Sequence, residues 1–204
     1  DRIAKGYDRN VMGTFAEAYR LTHLAILEEV KPESRVLEVG CGTGIVSLAL
    51  APHAAEVIGV DLSPHMIQQA EKKAWETDLP NLHFQEADAY ALPFEDESFD
   101  LVLLTNLLHV VAEPELVIRE ARRVLRQGGT LAAVTDCLAE RVPFRAWFNL
   151  LALRAMKLFG KVKYMHFLHR SDLRDWFTMH GFKIHKETDC HPAPVNYYLA
   201  GVKE

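Results

Sequence analysis

The chain has 204 residues, of which 49% are hydrophobic and 25% are charged; this is the profile of one ordinary globular domain and leaves little room for a second. A net charge of -5 provides no overall attraction to nucleic acid, so we expect no nucleic-acid partner. No uninterrupted apolar run reaches the roughly 20 residues of a membrane-spanning helix, and three widely spaced cysteines favour a reducing, cytoplasmic compartment.

Short apolar strands alternate with amphipathic helices along the chain, beginning with a helix over residues 14–30. Five strands follow, and we predict them at residues 35–39, 56–60, 82–85, 99–105 and 130–135. The helices between them are predicted at residues 44–50, 64–76 and 115–125. Ser63 and Pro64 are a typical start for the second of these helices. Gly128 and Gly129 predict the end of the third helix before the fifth strand.

The C-terminal part of the chain predicts one helix and two strands that alternate more in polarity. They are placed at residues 172–180, 182–187 and 195–202. The two strands would form an antiparallel hairpin, and Pro192 and Pro194 place its connection at residues 188–194, because proline cannot donate to a ladder. The whole pattern is typical of an α/β fold with helices on both faces of a largely parallel sheet. We expect a single domain over residues 1–204.

The most informative segment is a glycine-rich turn between the first strand and the next helix. It reads Val39-Gly40-Cys41-Gly42-Thr43-Gly44. Glycine allows positive φ and lets a ligand approach the main-chain amides, and the helix N-terminus beyond favours a carboxylate or phosphate. The dinucleotide pattern G-x-G-x-x-G would need glycine at Ile45, and no Gly-Lys-Ser/Thr completes a P-loop. A nicotinamide-binding fold is therefore disfavoured.

Acidic residues follow the next two strands. Asp61 ends the second strand, beside the glycine turn, where a carboxylate usually holds a ribose diol. Asp88 and Ala89 follow the third strand, where a side-chain acceptor beside a backbone N–H could bind the amine and ring nitrogen of adenine. These elements converge on one nucleoside at the carboxyl edge of the sheet.

In this order and spacing, the sequence resembles the class I S-adenosylmethionine-dependent methyltransferases, most of all the broad group that includes the ubiquinone and menaquinone biosynthesis methyltransferases. The matching residues are Glu38, Gly40, Gly42, Gly44, Asp61, Asp88-Ala89, the run from Leu92-Pro93-Phe94 to Ser98-Phe99-Asp100, and Arg123 to Gly129. The resemblance implies a Rossmann-like seven-stranded mixed sheet in the order 3-2-1-4-5-7-6, with strand 7 antiparallel and helices on both faces.

The resemblance also implies a cofactor, S-adenosyl-L-methionine, and residues that hold it. The turn from Gly40 to Gly44 would bind its methionine part, Asp61 its ribose, and Asp88 with Ala89 its adenine. Leu62 and Met66 would pack on the adenine, and Asn106 would offer its backbone carbonyl to the amino group. The complete expected set is Glu38, Gly40, Cys41, Gly42, Thr43, Gly44, Asp61, Leu62, Met66, Asp88, Ala89 and Asn106.

Three residues are candidates for the acceptor side: Tyr7, His109 and Trp147. Two roles are open for His109, which either orients or deprotonates the acceptor or is a structural histidine bonded to a neighbouring carbonyl. Tyr7 either closes over the methyl group or packs there. Methyl transfer from a sulfonium has a neutral leaving group, so it needs no metal and no general acid. We assign no catalytic residue and no metal site.

Two segments flank this predicted core: an N-terminal helical lid over about residues 1–30 and a basic amphipathic insertion over about residues 139–170. Residues 141–171 contain seven basic and no acidic residues. Two interpretations of the insertion are open. It is a lid or dimer helix with solvated charges, or it binds an acidic or lipid-like acceptor or an anionic membrane surface.

The predicted function is methyl transfer from S-adenosylmethionine to a small-molecule or lipid-like acceptor. Two alternatives remain from other classes of protein. One is a non-catalytic module that binds the cofactor and works through a partner, and the other is a nicotinamide-dependent oxidoreductase.

Overall fold

A computed structural model describes residues 7–140, 164–192 and 195–204, with the side chains of residues 7–15 and 192 left out of the description. Trp147 and most of the basic insertion therefore lie outside the described residues. The helices are α1 Tyr7–Leu27, α2 Ile45–Leu50, α3 Pro64–Thr77, α4 Pro114–Val124 and α5 Arg170–Met179. The strands are β1 Arg35–Val39, β2 Glu56–Asp61, β3 Leu82–Glu86, β4 Phe99–Thr105, β5 Leu125–Cys137, β6 Phe182–Pro192 and β7 Val195–Lys203.

The seven strands form one sheet in the order β3-β2-β1-β4-β5-β7-β6. Neighbouring strands from β3 to β5 are parallel, and β7 is antiparallel to both β5 and β6. The predicted order and the antiparallel seventh strand are confirmed.

Helices cover both faces of this sheet. Successive residues of a strand point to opposite faces, so neighbouring residues of β1 pack against different helices. Val36 of β1 packs in one buried cluster with Ile26 of α1 and Leu50 of α2. Leu37, the next residue, packs in a second cluster with Ile118 of α4 and with α5. The continuous apolar strands of the sequence therefore reflect burial on two sides.

The prediction that Gly128 and Gly129 end α4 is wrong. The helix already ends at Val124, and Leu125 is the first residue of β5. Phe99 pairs with Leu125 and Leu101 with Thr130, so the intervening residues of β5 form a bulge. Gly128 has φ 75°, a conformation that costs glycine no steric strain, and it accommodates this bulge.

The prediction that residues 188–194 connect the hairpin is also wrong, because β6 continues to Pro192, which pairs with Val195. Two register shifts, at Ile184/Lys186 and Asp189/His191, let the longer strand follow β7. Since β6 is the outermost strand, no further strand needs the N–H that proline lacks.

The first helix, predicted at residues 14–30, spans Tyr7–Leu27 and so begins seven residues earlier than expected. The remaining elements lie within a few residues of their predicted positions. The start of α3 is as expected, with the Ser63 hydroxyl accepting from the Met66 N–H and Pro64 in the first turn. In the part of the chain that the structure describes, no helix has the length and apolar character to cross a membrane.

Candidate functional site

The carboxyl ends of the parallel strands bring several polar residues to one edge of the sheet, all of them expected from the sequence except Asp136. Glu38 lies near the end of β1, Asp61 ends β2, Asn106 follows β4 and Asp136 lies near the end of β5. A cleft of about 200 Å³ lies at this edge. It is lined by Tyr19, Glu38, Gly40, Cys41, Gly42, Thr43, Ile45, Val46, Asp61, Met66, Thr105, Asn106, Leu107 and Val110. A concave site with a few polar groups among apolar side chains is typical of small-molecule binding.

The glycine turn forms one wall of the cleft. Gly40, Gly42 and Gly44 have φ of 74°, 54° and 76°, the left-handed region that side chains disfavour. The amides of Gly40 and Cys41 both donate to the Val60 carbonyl, at 2.7 and 2.9 Å, which ties the turn to β2.

The three glycines of the turn serve different purposes. A Cβ at Gly42 would meet nothing within 4 Å, so this position is open to an approaching ligand. A Cβ at Gly44 would lie 2.6 Å from the Phe84 ring, so Gly44 permits α2 to pack against β3. Gly44, which was expected to bind the cofactor, is not among the residues that line the cleft.

Asp61 lies beside the turn with both carboxylate oxygens directed toward backbone amides. Its Oδ2 accepts from the Gly42 N–H and its Oδ1 from the Ser63 N–H, each at 2.9 Å. A carboxylate has about four lone-pair positions. Asp61 can therefore accept two further hydrogen bonds, as from a diol in the cleft.

The residues expected on the adenine side are more spread out. Met66 lines the cleft. Leu62 is 67% exposed and, like Asp88 and Ala89, is not among the lining residues. Asp88 Oδ1 accepts from the Tyr90 N–H at 2.9 Å, in the turn that follows β3.

Glu38 is the buried acidic group of the cleft, with 2% of its surface exposed. Its Oε2 accepts from the Ser47 N–H at 3.0 Å and from the Ser47 hydroxyl. Burial raises the pKa of Glu38 to about 7, and the bonds from Ser47 oppose that rise. The carboxyl group can therefore change its charge near neutral pH.

Cys41 also lines the cleft. Burial raises the pKa of its thiol, and the nearby Glu38 and Asp61 charges add to that rise. The side chain stays protonated at neutral pH, so it is no candidate for a thiolate nucleophile.

A second group of polar side chains lies next to the cleft. We define the polar cluster as Asn106, His109, Asp136 and Asn196. The Asn196 Nδ2 donates to Asn106 Oδ1 at 2.9 Å and to Asp136 Oδ1 at 2.8 Å. The His109 Nε2 lies 4.0 Å from Asp136 Oδ2. Asn106 joins the polar cluster to the cleft, which it lines.

His109 is mostly buried, with 11% of its side chain exposed. Burial lowers the pKa of the imidazole, the Asp136 charge opposes this, and His166 adds to it. The ring is therefore neutral at neutral pH. Its Nδ1 has no hydrogen-bond partner among the described residues, so the expected alternative of a bond from this nitrogen to a carbonyl is not observed there.

Sequence reasoning missed Asp136 and Asn196 entirely. They are paired across β5 and β7 in the antiparallel register, and they are sixty residues apart along the chain. No local motif marks such a pair, although a correct hairpin register would have placed the two residues together. Tyr7 begins α1 and its side chain is not described, while Trp147 lies outside the described residues.

Comparison with known proteins adds to this geometry. A model of the methyltransferase domain family matches residues 37–133. Demethylmenaquinone methyltransferase of Staphylococcus saprophyticus is 31% identical over 188 residues, covering 89% of this chain and 78% of that protein. Phosphatidylethanolamine N-methyltransferase of Cereibacter sphaeroides is 42% identical over 119 residues, covering 58% of each chain.

YcgJ, an uncharacterized methyltransferase of Bacillus subtilis, is 37% identical over 120 residues, covering 59% of this chain and 47% of that protein. Its crystal structure superposes with a TM-score of 0.73 and 19% identity, covering 91% of this chain and 99% of the crystallised one. At that identity the likeness concerns the fold alone. The chain spans about half the length of the first curated relatives that it matches.

Proposed function

This chain belongs to the S-adenosylmethionine-dependent methyltransferase family, and from that premise we propose that it transfers a methyl group to a small-molecule or lipid-like acceptor. The observation that carries the proposal is the arrangement at the sheet edge. The exposed backbone at Gly42 and the carboxylate of Asp61 face one cleft, with the polar cluster beside it. The family's cofactor, S-adenosylmethionine, supplies when bound a methyl group on a sulfonium whose leaving group is a neutral thioether.

The residues of the cleft fit this cofactor. Gly42 offers backbone without a Cβ in the way, and Asp61 has lone pairs left for two ribose hydroxyls. Glu38 and Asp61 place acidic groups near the cationic end of the ligand. We assign the methionine part to the turn from Gly40 to Gly44, and the ribose to Asp61. We keep Asp88, Ala89 and Leu62 as candidates for the adenine, although they do not line the cleft itself.

This chain's own contribution to the reaction is mainly to position the reactants. Since the leaving group is neutral, no acid is required on its side. Holding the acceptor in line with the methyl group contributes up to about 7–11 kcal/mol to lowering the barrier. Excluding water strengthens the electrostatic interactions that remain and prevents hydrolysis. The apolar lining residues Ile45, Val46 and Leu107 serve that exclusion.

A lipid-like acceptor is supported by two further observations. Relatives are named for demethylmenaquinone and phosphatidylethanolamine, both of which are lipid-like molecules. In this chain, residues 141–171 contain seven basic and no acidic residues, a composition that favours an anionic group on the acceptor.

Transfer of a labelled methyl group tests this proposal. The protein is incubated with S-adenosylmethionine labelled in its methyl group and a panel of quinols, phenols, amines and phospholipids. We expect label in at least one organic product. Binding of S-adenosylmethionine without transfer to any acceptor would instead favour the non-catalytic module. A thermal shift with a nicotinamide dinucleotide, and none with S-adenosylmethionine, would favour the oxidoreductase.

A further inference from the structure

We propose that the polar cluster binds the acceptor and that the atom it presents for methylation is an amine nitrogen. This inference rests on the proposed methyl transfer and names the acceptor class. The residues that carry it are Asp136 and His109, with Asn196 as the positioning residue.

The spacing within the polar cluster is the first reason. Nε2 of His109 and Oδ2 of Asp136 are 4.0 Å apart, too far for a hydrogen bond to each other. If an acceptor nitrogen lay about 2.8 Å from both Nε2 and Oδ2, the angle at that nitrogen would be about 90°. Two N–H bonds of one nitrogen can point in these two directions. With the proton of the neutral His109 ring on Nδ1, Nε2 and Oδ2 are both acceptors. One amine nitrogen can donate to both of them, whereas a hydroxyl has one hydrogen and a carbon nucleophile has none to donate. The gap therefore matches an amine.

The direction of the lone pair is the second reason. If both N–H bonds of a neutral primary amine point to the polar cluster, its lone pair points away from the cluster. Asn106 joins the polar cluster to the cleft, so the lone pair can face a methyl group bound there. When acceptors hold the N–H bonds of the amine, its lone pair stays free and is aligned with the methyl group.

The charges at the site favour an amine as well. Glu38 and Asp61 line the cleft, Asp136 lies beside it, and the described lining residues include no lysine or arginine. Asp136 is 32% exposed at its side chain, so an acceptor can reach it. As the nitrogen forms its new bond it becomes positively charged, and a carboxylate at hydrogen-bond distance stabilises that charge. The same carboxylate repels a phenolate or a carboxylate acceptor.

Asn196 holds Asp136 in place. Both hydrogens of its amide are used, one for Asp136 Oδ1 and one for Asn106 Oδ1. Oδ1 of Asp136 is thereby anchored, and Oδ2 is the oxygen directed toward His109.

The step balances with the groups present. The amine lone pair forms the N–C bond to the methyl carbon while the C–S bond breaks and its electron pair stays on sulfur. The product is an N-methylated ammonium, whose charge Asp136 stabilises and which leaves the site with its proton. The groups that face His109 are Asp136 on β5 and His166 just before α5. His109 stays neutral throughout and orients the amine through Nε2.

The test compares matched acceptors and matched variants. Labelled methyl transfer is measured with amine and hydroxyl counterparts: 2-phenylethylamine against 2-phenylethanol, and phosphatidylethanolamine against phosphatidylglycerol vesicles, with hydroquinone as a phenol. We expect label on the amine partner of at least one pair, and mass spectrometry should place the methyl group on nitrogen. Labelling of the hydroxyl partner or the phenol, with every amine inert, would overturn the inference and leave the proposed methyl transfer standing.

Variants then assign the residues. Asp136→Asn should lower kcat for the amine about 100-fold, because it removes the charge that stabilises the transition state. His109→Gln, which lacks the imidazole acceptor that orients the amine, should lower kcat by a similar factor of about 100. Asp175→Asn, an exposed carboxylate on α5, is the matched control and should leave the rate unchanged. Affinity for S-adenosylmethionine should be the same in all four proteins.

Two further measurements keep the result decisive. Asp136→Glu retains the charge but moves it by one methylene, so it should keep the fold and still lose most of the amine rate. If Asp136→Asn and Asp136→Glu both retain the amine rate of the parent protein, the inference is wrong. If calorimetry shows that the parent protein does not bind S-adenosylmethionine, the proposed function itself fails.

Discussion

The cleft and the polar cluster lie at the same edge of the sheet, but they are built differently. About half of the cleft lining comes from the glycine turn with the start of α2 and from Asp61, two short segments that follow neighbouring parallel strands. The polar cluster takes one residue each from β5 and β7 and two from the turn after β4, and Asp136 and Asn196 are sixty residues apart. A family can therefore preserve the first as a local motif, while the second depends on the long-range register of an antiparallel pair.

This difference has a functional consequence. A shared cofactor can be held by the same local turn in many proteins, and the chain belongs to a family that shares that cofactor. An acceptor that differs between family members must be recognised by residues outside the motif. The polar cluster is placed where such residues are needed.

The largest expected effect concerns the packing of the glycine turn. Gly44→Ala places a Cβ at positive φ and 2.6 Å from the Phe84 ring, so we expect a loss of about 4 kcal/mol in the free energy of unfolding. Gly42→Ala has the same backbone strain but no contact within 4 Å, and should lose only about 1–2 kcal/mol. Urea denaturation measures both. Equal losses would mean that Gly44 has no packing role distinct from that of Gly42.

The next effect is the pH dependence of the free energy of unfolding, which arises from Glu38 in the cleft. The pKa of Glu38 is raised from 4.5 to about 7 by burial, so its contribution to stability is complete below pH 4.5 and is lost as the pH rises through 7. The loss is about 3 kcal/mol for the ligand-free protein. Glu38→Gln should remove that slope, as measured by urea unfolding between pH 4.5 and 8. Parallel pH profiles for the two proteins would show that Glu38 ionises as an ordinary carboxyl group.

The smallest effect separates stability from acceptor binding. Asn196→Ala removes two side-chain hydrogen bonds and should cost about 2 kcal/mol. Asn81, which directly precedes β3, is a matched control. Its Nδ2 also donates two hydrogen bonds, to the Ala51 and Ala54 carbonyls. Asn81→Ala should cost a similar amount. Only Asn196→Ala should raise the KM for the acceptor, as measured by steady-state kinetics. An equal KM in both variants would contradict a positioning role for Asn196.

The sequence predicted most of the sheet because each parallel strand is a continuous apolar run. The two errors within the sheet have one physical source, since both concern places where a strand departs from the regular ladder of backbone hydrogen bonds. Gly128 was expected to end a helix but instead supports a bulge within β5. Pro192 is predicted in the connection of the hairpin but instead lies within β6, because an outermost strand tolerates proline.

The candidate site was predictable to the extent that it is local. Glu38, Gly42 and Asp61 all line the cleft, as expected from the turn and the strand ends. Asp136 and Asn196 could not be found that way, because an aspartate at a strand end and an asparagine in a later strand carry no shared pattern. Their relation appears only once β5 and β7 are paired in register.

The most direct test of this account is isothermal titration of S-adenosylmethionine and S-adenosylhomocysteine into the parent protein and into Asp61→Ala. We predict one binding site for each ligand in the parent protein. In the variant we predict affinity about 100-fold weaker, since two hydrogen bonds to a charged oxygen pair are lost. Undetectable binding of both ligands to the parent protein, or unchanged affinity in Asp61→Ala, would contradict it.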